Sequence, residues 1–168
     1  MILHIILIIW LCILAMQDFK YRAVSWYLFP VGLGILLLQA FQNEDGLFQI
    51  HSVGVNLGFV LLQLTVVTGY LSIKHRRVVN ICKDYLGFGD ILFLLVITLA
   101  FSPINFIIFT VLSLLFSLIG FMLFSLYRKI KYIPLAGAMA IFMIFIIVAV
   151  QILPIDMHSD QWIINLLV

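Results

Sequence analysis

Charge is what this sequence has least of. Lys and Arg number nine and Asp and Glu seven in 168 residues, or 10%, where an ordinary soluble domain carries about 25%. With 65% of the chain hydrophobic, 168 residues offer too little interior to hide the apolar surface, which excludes a soluble domain. No basic surplus stands out either. A net charge of +2 makes no electrostatic footprint for a nucleic acid, so no such partner is expected. Two cysteines, Cys12 in an apolar run and Cys82 in a charged stretch, exclude a disulfide framework and a paired-cysteine metal knuckle. The histidines, His4, His51, His75 and His158, lack ligand spacing, and neither a metal nor another cofactor is expected. Internal repeats and low-complexity linkers are missing as well. So are a basic n-region and a small-residue cleavage site behind Met1, and the first residues are read as a retained helix.

What the chain does have is apolar runs of bilayer length, for which about 20 residues are needed. They fall at 2–16, 26–41, 51–73, 86–101, 104–127 and 132–153. The expected architecture is all-α: a polytopic membrane protein, a six-transmembrane-helix bundle forming one domain over residues 1–168. The bases orient it. Lys20 and Arg22 lie in the first loop, Lys74, Arg76, Arg77 and Lys83 in the third, and Arg128, Lys129 and Lys131 in the fifth. These are all nine, and the positive-inside rule makes those loops cytoplasmic and puts both termini on the outer side. In lipid, close backbone approach and interhelical hydrogen bonds replace the hydrophobic drive. Gly54 and Gly58, Asn56, Gln63 and Thr65, the set Ser113, Ser117 and Gly120, and the run Ala136, Gly137, Ala138 and Ala140 are therefore expected at helix contacts.

Of the seven acids, Glu44, Asp45, Asp156 and Asp160 lie on the outer side, and Asp84 sits among cytoplasmic bases as a solvated surface residue. Asp18 and Asp90 remain. Asp18 follows the first apolar run, where a helix-end acid at headgroup level is a sufficient reading. Asp90 differs, because the apolar run after it reaches only from Ile91 to Phe101, short of a full crossing. Gly87-Phe88-Gly89-Asp90 must then lie within the membrane interface or below it. One reading makes Asp90 a helix N-cap behind a glycine turn; the other makes it a functional ionisable group sheltered at membrane depth. Two spans separate Asp18 from Asp90, so both face the cytoplasm. A pair of like acids there is what aspartyl proteolysis requires: the two hold one proton between them, and one takes a proton from water while the other hydrogen-bonds the scissile carbonyl. Either aspartate fits either role.

This pattern resembles the type IV prepilin peptidase family, GxGD membrane aspartyl proteases that include the archaeal preflagellin peptidases. The resemblance covers the whole chain. In that family the first aspartate precedes a basic stretch and an Ile-Pro pair; here Asp18 is followed by Lys20, Arg22 and Val24, with Ser25 where Pro is usual. Gly87 and Gly89 frame the second aspartate, and Asp84 stands six residues before it, where many members carry an acid. Ile133-Pro134-Leu135-Ala136-Gly137 partly matches the family's Ile-Pro-Phe-Gly-Pro. Departures are Tyr85-Leu86, where Gly-Met is common, and Leu92, where Lys is common. Presenilin-like proteases share Gly-x-Gly-Asp, but their first aspartate follows Tyr, whereas Gln17 precedes Asp18.

The resemblance implies a short, peptidase-only form, without the paired-cysteine insertion that accompanies methylation in larger members. It implies Asp18 and Asp90 as catalytic residues, supported by Gly87, Gly89, Asp84 and Pro134. The implied substrates are prepilin or pseudopilin-like membrane proteins, cut at the cytoplasmic face of the cytoplasmic (inner) membrane. Membrane lipids are the other expected partner: the basic third loop meets anionic headgroups or substrate, although topology alone accounts for its charge. Ser25 and Leu92 favour an alternative, a non-catalytic membrane component such as a transporter subunit or an inactive pilin-binding relative.

Overall fold

The computed structural model describes residues 2–42, 46–77, 86–127, 134–152, 157, 159 and 160. It is all-helical over these residues, with six helices: α1 (Ile2–Tyr21), α2 (Leu28–Gln42), α3 (Gly46–His75), α4 (Phe88–Ile97), α5 (Pro103–Tyr127) and α6 (Leu135–Ile152). One helix falls on each expected apolar run. Four hold segments long and apolar enough to cross a membrane, Ile2–Tyr21, His51–His75, Pro103–Leu123 and Leu135–Ile152. The other two are shorter, 15 residues in α2 and 10 in α4. At about 1.5 Å per residue α4 reaches about 15 Å, half of a hydrocarbon core about 30 Å thick. Its run continues to Phe101 as turns rather than helix, because Pro103 starts a new helix and Ser102 accepts that helix's first bond, from Phe106 N–H (2.8 Å).

That irregular stretch is buried: Thr98, Ala100, Phe101 and Ser102 are each at most 4% exposed. Non-helical backbone survives inside an apolar bundle only where its polar groups find partners. Asn56 of α3 supplies them, its Nδ2 donating to the carbonyls of Thr98 and Phe101, both at 2.9 Å. Asn56 thus does face a neighbour, as the sequence suggested. Gly54 and Gly58 do not, since a Cβ built on either meets nothing within 4 Å. Close approach is realised at other small residues.

One such place is Gly32 of α2. The indole of Trp10 lies so near that a Cβ on Gly32 would come within 2.1 Å of Trp10 Cζ2. The same indole donates Nε1–H to the Leu28 carbonyl at 2.8 Å and stacks on Phe93 of α4 with ring centroids 6.4 Å apart. Trp10 therefore ties α1, α2 and α4 together. The buried side of α1 reads Leu7, Trp10, Leu11, Leu14, Ala15 and Asp18, steps of three and four that mark one helical face. α6 packs chiefly against α1 and α5, and its buried Ala136, Gly137, Ala138 and Ala140 allow a close approach.

Candidate active site

Asp18 ends the buried stripe of α1 and is itself buried, 7% exposed. It stands near the helix end, as the sequence suggested, since α1 continues only to Tyr21. The helix stops where Arg22 takes a left-handed φ of 53° and returns its N–H to the Asp18 carbonyl at 2.9 Å, the αL closure common at helix C-termini.

Asp90 occupies the third position of α4, and Gly87, not Asp90, is the N-cap. The Gly87 N–H donates to Asp90 Oδ2 at 3.0 Å, the reach-back half of a capping box. A Cβ at Gly87 would stand 2.9 Å from Asp90 Oδ2, so the carboxylate would have to turn aside to admit one. Gly89 has more room, with Val24 Cβ at 3.6 Å and Phe29 Cζ at 3.8 Å from such a Cβ, ordinary packing distances. Val24 belongs to the α1–α2 connection, which therefore lies against the glycine motif. Gln17 holds that connection, its Oε1 accepting the Ser25 N–H at 3.0 Å. A proline at position 25 has no such hydrogen to give, so Ser25 and Gln17 work as a pair.

The two aspartates come together on α6. Ala136 N–H donates to Asp90 Oδ1 at 2.7 Å, and Gly137 N–H donates to Asp18 Oδ2 at 2.6 Å. Successive residues thus bind the two carboxylates. A helix leaves its first amides unpaired and ordinarily covers them with a local Ser, Thr, Asp or Asn. α6 begins behind Pro134, which has no such group; its half-buried residue contributes only a carbonyl, accepting from Ala138 N–H at 3.1 Å. The cap is supplied instead by acids from α1 and α4. Sequence reasoning assigned Ala136 and Gly137 to packing and missed this role; the uncapped start of α6 was the available signal. Asp84 lies outside the described residues.

Fold and site together define a class: a multi-pass membrane protein of apolar helices with a paired-carboxylate centre at one helix start. The chain belongs to the type IV leader peptidase family, a family of proteases whose model matches residues 5–124. The match takes in Asp18, Gly87, Gly89 and Asp90 and ends before α6. No curated protein and no solved structure matches the chain.

Proposed function

We propose that the chain is an aspartyl endopeptidase of the cytoplasmic (inner) membrane that removes the basic leader of prepilin or pseudopilin-like substrates at the cytoplasmic face, with Asp18 and Asp90 as the catalytic pair. One carboxylate takes a proton from a water placed between them, and that water's oxygen attacks the scissile carbonyl carbon. The other, protonated, hydrogen-bonds the carbonyl oxygen as charge develops there. Collapse of the tetrahedral intermediate breaks the C–N bond, and the leaving amine takes up the proton that the first carboxylate drew from the water. The pair suffices for this chemistry without a metal or cofactor. The observation that carries the reading is the convergence of two acids from α1 and α4 on adjacent amides, in a chain of the leader peptidase family.

Co-expression with a prepilin tests it. Wild-type chain should shorten the substrate at its leader, while Asp18→Asn and Asp90→Asn should insert normally and leave it uncut. Processing that survives either substitution removes that residue from the pair. The rate should also follow pH with two coupled titrations belonging to the pair as a unit.

A further inference from the structure

The start of α6 contributes no side-chain chemistry to the site; Leu135, Ala136 and Gly137 are apolar. Its contribution is distance. The two amides that bind the carboxylates belong to one turn of one helix, on residues whose Cα atoms are about 3.8 Å apart. We propose that Gly137 is a positioning residue for the reaction, and that the first turn of α6 is the spacer that sets Asp18 against Asp90. The proposal rests on the peptidase reading of this site.

Three observations lead to it. A Cβ on Gly137 would stand 3.0 Å from Asp18 Oδ2, 3.1 Å from Asp18 Cβ and 3.1 Å from Phe19 Cδ2. Rotation of the carboxylate relieves only the first of these contacts, because Asp18 Cβ is fixed to the α1 backbone. A methyl at position 137 therefore needs α1 to give way by a few tenths of an ångström and shifts Asp18 against its amide by about as much, while Asp90 keeps its bonds to Ala136 and Gly87. The spacing of the pair then changes at one side only. Secondly, the positive end of the α6 dipole lies beside both acids and offsets their mutual repulsion. Thirdly, water held between two carboxylates reacts only at a defined separation, and a misplacement of about 1 Å costs about 100-fold in rate.

The test uses the full chain in detergent micelles with a prepilin substrate. Gly137→Ala is expected to lower kcat about 3- to 10-fold, with KM within about twofold of wild type. Its thermal midpoint should fall only modestly, because the better helix propensity of alanine, about 1 kcal/mol, offsets part of the crowding and of the weakened cap. Wild-type kcat in Gly137→Ala overturns the positioning role, as does a loss of rate that appears only in KM. If Gly137→Ala does not fold, glycine-selective 15N labelling of the ten glycines decides without it. Gly137 and Gly87 each donate to one carboxylate, so Asp18→Asn should move the Gly137 amide resonance and leave Gly87 in place. Asp90→Asn should move Gly87. A Gly137 amide unmoved by Asp18→Asn overturns the proposal. A wild-type chain that cuts no prepilin overturns the peptidase reading instead, whatever the spectra show.

Discussion

Asp18 and Asp90 reach the same helix end from different helices and bind neighbouring amides, Gly137 N–H and Ala136 N–H. Each acid therefore has two duties, one in the proposed chemistry and one as a cap.

The two duties separate by choice of substitution. Asparagine caps a helix about as well as aspartate, whereas alanine forfeits about 1 kcal/mol. Asp18→Asn and Asp90→Asn should abolish processing with the unfolding midpoint nearly unchanged. Asp18→Ala and Asp90→Ala should abolish processing and also lower stability by about 1 kcal/mol each. Chemical unfolding in mixed micelles, run beside the processing assay, measures both. Equal stability of the Ala and Asn variants would remove the capping role.

The motif glycines should rank in a definite order. Alanine at Gly87 places a methyl 2.9 Å from the Asp90 carboxylate, whereas at Gly89 the nearest atom is 3.6 Å away. Gly87→Ala is expected to slow processing at least about 10-fold, and Gly89→Ala by less. Relative rates on one substrate suffice, and the reverse order would contradict the geometry.

Gly32 admits no side chain beneath Trp10. Gly32→Ala should destabilise the chain by about 1–3 kcal/mol through overpacking. Trp10→Phe relieves the crowding but loses the bond to the Leu28 carbonyl, a cost of about 1 kcal/mol. Together the two should be less damaging than their sum, a coupling that a double-mutant cycle reads directly. Strict additivity would deny the contact.

Ser25→Pro removes the N–H bonded to Gln17. We expect it to lower stability by about 1 kcal/mol. In a Gln17→Leu background the same change should cost little. A full cost in both backgrounds would show that the Gln17 contact is not what position 25 needs.

Asn56→Leu strips the Thr98 and Phe101 carbonyls of their donor inside the bundle, and a loss of about 1–3 kcal/mol is expected. Asn56→Asp also loses the donating Nδ2 and should be no better. Unfolding midpoints of the two variants check this.

Much of this was legible in the sequence, for physical reasons. Apolar runs must be helices in lipid, so all six were found, and the buried stripe from Leu7 through Leu14 to Asp18 follows helical spacing. The end of α4 at Ile97 was not, although the run after Asp90 already read as short, because Thr98 to Ser102 is apolar enough to resemble helix and its irregular path depends on Asn56, over 40 residues earlier. Gly54 and Gly58 misled because GxxxG spacing permits contact without compelling it. The meeting of the acids on Ala136 and Gly137 was hidden for a simpler reason: backbone amides are alike at every position, and no residue letter marks which ones are used.

The cap on α6 also has a meaning in time. Chains emerge from the ribosome N-terminus first, so α1 and α4 are made before the turn that joins their acids. Until that turn arrives neither carboxylate has its α6 partner and the spacing between them is unset. The centre is thus completed only once α6, the last of the six described helices, has been synthesised, which ties the proposed cutting to the arrival of that helix.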